Sequence, residues 1–311
     1  GILFSSPIVG VWYWCTDQHI VQRCLAAKNE KEARRGTIFA AFLKLMPFFI
    51  FLIPGLIAYA LHQQGKIQLD DTNAAFPVMV KSIMPIGLRG VLAGGLLAAL
   101  MSSLASVYNA CSTLYTIDIY KKSHPAASEK ELVKVGRIAT GIIVLMGMAW
   151  IPLMGRVSDG LYNYLQSVQS YMAPPISAVF LLGVFFKRLN AQGAYSSMVI
   201  GFVVGMSKLA LQLMQDQLTP GSLVYQFATM NFLYFCIYLF IFSIVIFVVV
   251  SLMTPAPADE KIRGLTFSTT VAEEKANSRA SWNSTDVVLS LIVIAIIIGI
   301  MMYFSPLGVA A

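Results

Sequence analysis

Charge is what this chain has least of. Its 311 residues include 22 Lys and Arg and 15 Asp and Glu, 12% in all. A soluble globular domain carries about 25%. So little polar surface cannot coat a compact body in water, and 57% of the side chains are hydrophobic, with a mean hydropathy of +0.72. The same figures exclude disordered, collagenous, coiled-coil and disulfide-knot classes. Cysteine is scarce too. Cys15, Cys24, Cys111 and Cys236 show no CxxC spacing and read as packing or cytosolic thiols, not as a disulfide frame or zinc site. Catalytic signatures are missing: there is no HExxH, no GxSxG, and Asp17 has no second carboxylate within its apolar run. The expectation is a protein that is not an enzyme. No cleavable signal peptide is visible. The chain opens inside an apolar run, Gly1-Ile2-Leu3-Phe4, without an initiator Met, and is expected to be part of something longer.

What is present is long apolar segments. A bilayer core of about 30 Å takes roughly 20 apolar residues per helix. Eight runs qualify, at about 1–22, 36–60, 87–120, 134–154, 159–186, 191–213, 230–253 and 286–305. They are too long, and too poor in alternation, for strands. A short segment at 74–86 is expected to be a surface-lying helix. The net charge of +7 would by itself suit nucleic acid, but its distribution points to a bilayer and no nucleic acid. Arg23, Lys28, Lys31, Arg34 and Arg35 follow the first run. Lys121, Lys122, Lys130, Lys134 and Arg137 follow the third, Lys187 and Arg188 the fifth, and Lys261, Arg263, Lys275 and Arg279 the seventh. Sixteen of the 22 basic residues thus fall in alternate loops, while the opposite loops hold only Lys66, Lys81, Arg89 and Arg156. That segregation follows if all eight runs span, with the basic side cytoplasmic. The sequon Asn283-Ser284-Thr285 then faces the cytoplasm and is not expected to carry glycan. The segment Pro255–Trp282 is polar, without apolar periodicity, and reads as a partly mobile surface loop.

Four clusters of polar groups interrupt the apolar runs, and at membrane depth each such group needs a partner or water. In the first run, Trp12-Tyr13-Trp14-Cys15-Thr16-Asp17-Gln18 can stack a sugar ring beside hydrogen-bonding groups. It serves equally as an interfacial aromatic belt. In the second run, Lys44 lies between Phe42 and Met46, where it either snorkels to the cytoplasm or donates to a ligand. In the third run, Ser102, Ser103 and Ser106 follow a small-residue stretch. Serines there bond their own i−4 carbonyls, or offer neutral oxygens to a small hard cation. In the fifth run, Asn163, Gln166, Gln169 and Ser170 form one stripe before Pro174-Pro175. The double proline predicts a kinked or discontinuous helix lining a cavity. Broken helices near the midplane suit a transporter more than a channel.

These residues carry a resemblance. Trp12-Tyr13-Trp14-Cys15-Thr16-Asp17-Gln18 with Val21-Gln22-Arg23-Cys24-Leu25, Leu43-Lys44-Leu45-Met46-Pro47, Leu100-Met101-Ser102-Ser103-Leu104 and Pro174-Pro175-Ile176-Ser177-Ala178 resemble the sodium/glucose cotransporters of the sodium:solute symporter family. The resemblance implies an all-α membrane protein of the LeuT-type inverted-repeat fold. Residues 1–190 would be the second five-helix repeat. Residues 191–311 would be three peripheral spans with a cytoplasmic loop at about 254–284, and the first repeat would lie in a missing N-terminal half. It implies sodium-coupled symport of a glucose- or galactose-like monosaccharide across the plasma membrane, with sodium co-transported and no organic cofactor. The alternatives are another small solute, such as inositol or a carboxylate, or a non-transporting sensor or channel. By the same resemblance Tyr13 is the inner gate over the sugar site, and Trp14, Lys44, Asn163, Gln166 and Ser106 lie at or near the sugar. Ala99, Ser102 and Ser103 are the sodium ligands, the alanine through its carbonyl. Ala105 stands where two-sodium members carry a hydroxyl, which implies one sodium. Gly10 stands where several members have a sugar-contacting polar side chain.

Overall fold

The structure is a computed structural model and describes residues 1–157, 160–305 and 308. Position 159, where the fifth span was expected to begin, and residues 306, 307 and 309–311 lie outside the described residues. No strand occurs among the described residues. In chain order the helices are α1 (Ile2–Val11), α2 (Gln18–Leu25), α3 (Glu30–Pro47), α4 (Ile53–Gln63) and α5 (Ala75–Ile83). Next come α6 (Ile86–Leu114), α7 (Lys121–Ser123), α8 (Glu129–Val157), α9 (Leu161–Phe185) and α10 (Ala191–Leu213). The last are α11 (Leu223–Thr229), α12 (Phe232–Met253), α13 (Asp259–Ile262), α14 (Ala272–Ala280) and α15 (Ser284–Tyr303). Three π-helical turns, Trp12–Thr16, Phe48–Leu52 and Tyr115–Tyr120, continue α1, α3 and α6.

Seven of the eight expected spans are long and apolar enough to cross a bilayer. In the first, the expected single helix over 1–22 is corrected: the apolar helical segment Ile2–Thr16 ends in a break. The expected 1–22 helix breaks because Asp17 is extended, at φ −72° and ψ 115°, and its carboxylate accepts from the backbone N–H of His19 at 3.0 Å, starting α2. An aspartate competes with the helix for backbone donors in this way. The surface helix expected at 74–86 is α5. The loop expected at 255–282 is more ordered than anticipated, since α13 and α14 lie within it. All four cysteines are free thiols, as expected.

The chain forms two compact units, Gly1–Val21 with Ala93–Thr269, and Gln22–Leu92 with Thr270–Ala311. The first is built on α9, α10 and α12, with α1 laid against α9 and α12. The seam of α10 is a run of small residues at every fourth position, Gly193, Ser197, Gly201 and Gly205, all buried. Lipid tails are as apolar as the helices, so close van der Waals approach of small residues drives association there. A Cβ on Gly205 would stand 2.0 Å from the Tyr171 carbonyl oxygen, and one on Gly201 2.4 Å from Pro175 Cγ. Ser197 donates to the Ser243 carbonyl at 2.8 Å. The core around this seam is Tyr164, Tyr171, Leu209, Phe235 and Leu239.

Of the kinked or discontinuous helix expected at Pro174-Pro175, the discontinuity is corrected: α9 runs unbroken from Leu161 to Phe185. Each proline removes the bond to the carbonyl four residues before it, which releases Ser170 and Tyr171. The Tyr171 carbonyl is the one that Gly205 approaches. A glycine backbone against a released carbonyl lets Cα–H···O contact take the place of the lost bond.

The helix directions fit alternate crossing. In the first unit, Ser177 Oγ donates to the Ile8 carbonyl at 2.7 Å and Cys236 Sγ to that of Ser5 at 4.0 Å, and α1 runs parallel to α9 and α12. The Gly201–Pro175 and Gly205–Tyr171 approaches make α10 antiparallel to α9. At the basic ends, Arg188 caps α12 by donating to the carbonyls of Ser251, Leu252 and Thr254 at 2.7, 3.3 and 3.1 Å. A cation there also meets the negative end of the helix dipole.

In the second unit α3 lies along α15. Asn283, the sequon asparagine, caps α15 in a reciprocal box: its side chain accepts from Asp286 N–H, and the Asp286 carboxylate from Asn283 N–H. The buried Asp286 pairs with Arg35 at 3.5 Å.

Candidate functional site

The aromatic cluster sits on the π-helical turn at the break. Widening the helix at Trp12–Thr16 lets three aromatics project from consecutive positions. The Tyr13 and Trp14 rings meet edge-on, centroids 5.2 Å apart at 87°, and Trp12 and Tyr13 are tilted at 6.2 Å. π-Bulges inside helices occur frequently at functional sites. Thr16 turns its hydroxyl back to the Trp12 carbonyl at 2.7 Å. Tyr13 is half-buried and Trp14 is 43% exposed. The turn packs against α9, so the structure brings Tyr13 and Trp14 to the helix that carries Asn163 and Gln166.

It does not bring Tyr13 level with Gln166. Ile8 and Ser177 mark one level of the parallel α1–α9 pair. Gln166 lies three turns before Ser177, about 16 Å at 1.5 Å per residue, whereas Tyr13 follows Ile8 in the other direction. On α9, Asn163 is exposed, Gln166 and Gln169 are half-buried, and Ser170 is buried with its hydroxyl on the Gln166 carbonyl at 2.7 Å. The amide-rich half of α9 therefore lies toward the end where α1 begins, and the aromatic turn toward the end where α1 breaks.

The serine cluster is on α6. Ala99, Ser102, Ser103 and Ser106 stand at i, i+3, i+4 and i+7 and share one face of an intact helix. Ala99, Ser102 and Ser103 are exposed, and Ser106 is half-buried, donating to the Ser102 carbonyl at 3.0 Å. Ser106 thus makes the i−4 bond expected of a packing serine, while the face beside it presents two further hydroxyls. The later part of α6 is anchored on α8. Ser112 donates to the Gly136 carbonyl at 2.7 Å, and the π-helical turn at Tyr115–Tyr120 lies on the same helix. Thr116, in that turn, keeps a buried hydroxyl with no partner among the described residues.

Lys44 is exposed on α3 in the other unit. Among the described residues no group of three or more His, Cys, Asp or Glu could hold a metal ion. A cation at Ala99, Ser102 and Ser103 would be met by neutral oxygens, which suits a monovalent hard ion better than a transition metal.

Sequence reasoning passed over one group inside the apolar runs. Lys208, on α10, is 1% exposed. Its ammonium donates to the Ala228 carbonyl in the last turn of α11 and lies 5.9 Å from the Phe235 ring centre. It joins neither ion pair seen among the described residues, Arg35–Asp286 and Lys122–Asp118. Four residues on, Gln212 accepts from the Tyr171 hydroxyl. A lysine within a run otherwise free of charge was the available signal.

Comparison with known proteins follows the same residues. The profile of the sodium:solute symporter family matches residues 2–201. The chain is 38% identical to sodium/glucose cotransporter 1 of Ovis aries over 292 residues, 88% of this chain and 44% of that protein. It is 36% identical to sodium/glucose cotransporter 4 of Mus musculus over 306 residues, covering 92% of this chain and 45% of that one. Against sodium/glucose cotransporter 4 of Danio rerio it is 34% identical over 304 residues, covering 91% and 46%. The chain spans less than half the length of these relatives.

Proposed function

The chain belongs to the sodium:solute symporter family, and from that premise we propose that it forms part of a transport core that moves a glucose- or galactose-like monosaccharide together with one sodium ion across the plasma membrane. It is a multi-pass membrane protein and a transporter, not an enzyme. The observation that carries the proposal is the broken first helix. An aromatic π-helical turn ends at an extended aspartate, packed against a helix that bears a stripe of amides. Broken helices within a membrane protein are tolerated where they are buried in protein or line a water-filled path, and they are a recurring feature of transporter binding sites.

In this reading Gln166 and Asn163 hydrogen-bond the sugar from α9, with Ser106 near it; Trp14, like Tyr13, lies more than a sugar's length beyond Gln166 along α9 and serves the gate side rather than the sugar contact. Tyr13 closes the path beneath the sugar. The level difference along α9 supports the gate role, because α1 runs from the outer side inward and Tyr13 lies beyond Gln166 in that direction. Sodium takes the Ala99 carbonyl and the Ser102 and Ser103 hydroxyls. Residues 1–190 act as the second five-helix repeat and 191–311 as peripheral spans. Sodium and sugar both bind the outward-open state better than the inward-open one, and that shared preference couples their movement.

The test is sugar uptake by the full-length protein. Ser103→Ala removes one of three sodium oxygens and is expected to raise the sodium half-saturation at least about tenfold, since a hydrogen-bond-like contact to a charged group is worth about 1.5–3 kcal/mol. Gln166→Ala is expected to raise the sugar half-saturation by a similar factor and leave sodium affinity alone. An unchanged sodium half-saturation in Ser103→Ala refutes the ion site, and an unchanged sugar half-saturation in Gln166→Ala refutes the sugar contact.

A further inference from the structure

The second unit carries a groove that the transport reading does not use. Where α3 meets α15 there is a cavity of about 490 Å³, walled by Arg34, Thr37, Ile38, Trp282, Val287 and Leu291. Further along the same seam a second cavity, of about 410 Å³, is almost wholly apolar and is walled by Phe48, Ile53, Ile296, Gly299 and Ile300. Both helices advance in the same direction along the seam, from Arg34 to Ile53 and from Trp282 to Ile300. The first cavity is therefore at the basic, cytoplasmic ends of the two spans and the second lies deeper. From Val287 to Ile296 is about 14 Å at 1.5 Å per residue, close to half of the roughly 30 Å hydrocarbon core.

Among the charges at the mouth, Arg34 lines the cavity and joins neither ion pair seen among the described residues. Asp286 is buried and neutralised, paired with Arg35 at 3.5 Å and bonded by the Asn283 N–H at 3.0 Å. Arg34 spends one N–H on Ser278 Oγ, at 2.8 Å, and leaves the rest of its fork at the cavity. Ser278 lies on α14 beside Arg279, while Glu273, Glu274 and Lys275 stand together at the other end of that helix. The first turn of α3 holds Glu30, Lys31 and Glu32. Trp282 is 45% exposed at the mouth, where amphipathic rings sit at headgroup level.

We propose that the α3–α15 seam binds one anionic glycerophospholipid of the cytoplasmic leaflet, its phosphate on Arg34 beside Trp282 and one acyl chain laid along Ile38, Val287 and Leu291 toward Ile296. An arginine fork matches phosphate geometry, basic pockets between spans on the cytoplasmic side take acidic headgroups, and the apolar length beyond the fork fits one leaflet. The inference needs only that these helices span a membrane, and it stands or falls apart from sugar and sodium binding.

The experiment is native mass spectrometry of the full-length protein, released from detergent after titration with phosphatidylglycerol or with phosphatidylcholine of the same chains. One phosphatidylglycerol is expected to stay bound at least about tenfold more than phosphatidylcholine. Arg34→Gln, at an exposed position where folding is not at stake, should erase most of that excess. Leu291→Trp, which fills the groove, should lower retention of both lipids, and Lys187→Gln, a basic residue outside the seam, should change neither. Equal retention of the two lipids overturns the proposal, as does an undiminished excess in Arg34→Gln. So does finding that the wild-type seam is filled instead by a second copy or another polypeptide, seen as a bound mass that Leu291→Trp releases.

Discussion

Gly205 offers the sharpest test of how the first unit is held together. The perturbation is a single methyl group, Gly205→Ala. Its Cβ would sit 2.0 Å from the Tyr171 carbonyl oxygen, 2.9 Å from the carbonyl carbon and 3.4 Å from Cα. Ordinary van der Waals contact begins near 3.4 Å, so the backbones of α9 and α10 must part by about 1.4 Å. No rotation relieves the contact, since a Cβ is fixed by its own backbone and the group it meets is the Tyr171 main chain. A radial gap of 0.5–1 Å already forfeits a quarter to a half of a dispersion well, and here it would open along the whole small-residue seam. Overpacking costs about 1–3 kcal/mol, and this case belongs at the upper end. Ala for Gly in a helix returns about 0.5–1 kcal/mol, leaving a net loss near 2 kcal/mol. At an unfolding entropy of about 2.1 cal/mol/K per residue, which is roughly 0.65 kcal/mol/K for 311 residues and more for a longer chain, thermal unfolding of the full-length protein in detergent should shift down by roughly 1–3 °C. Gly183→Ala, in α9 with nothing within 4 Å of a Cβ, is the control and should hold or rise slightly. If Gly205→Ala melts with the wild type while Gly183→Ala is also unchanged, the account of the α9–α10 seam is wrong.

Two further outcomes follow from buried polar groups. Thr116→Val keeps the shape of the side chain and removes a buried hydroxyl without a partner among the described residues; relieving that desolvation, worth about 1–3 kcal/mol, should raise Tm by a few degrees, and a fall would mean the hydroxyl is bonded. Lys208→Met deletes a buried ammonium that meets a carbonyl and an aromatic face. The desolvation it relieves, several kcal/mol, exceeds what the hydrogen bond and the cation–π attraction supply, about 1–3 kcal/mol together. Tm should therefore hold or rise; a drop of more than about 5 °C would show instead that the ammonium is what secures α11.

Much of the protein was legible in the order of its residues. Hydrophobic length marks a bilayer span wherever the helix packs, because the solvent is apolar on every side. The seven long spans followed from that, and the surface helix at Ala75–Ile83 was legible as a short apolar segment before the third span. Alternating basic loops set the directions, and the parallel pairs α1 with α9 and α3 with α15 agree with them. The aromatic, amide and serine clusters were visible as polarity where lipid forbids it.

What only the tertiary structure decided concerns whether a helix breaks and what covers it. Two adjacent prolines read as a kink or discontinuity in α9, yet α9 is continuous, and one of the carbonyls they release, that of Tyr171, is met by Gly205 of a neighbour that admits close approach. The first run read as one helix from 1 to 22, yet it ends at Asp17, where a side chain takes a backbone donor and π-helical widening precedes it. Small residues every fourth place on α10 were in plain sight, but their meaning depends on the partner helix. A local pattern states which backbone groups can be left unpaired; whether they are depends on a surface tens or hundreds of positions away, as with Ser177 on Ile8. Chain order therefore determined the solvent and the seven long spans, and three-dimensional packing determined where the ladder opens, because an unpaired carbonyl in hydrocarbon must be met by something brought from elsewhere.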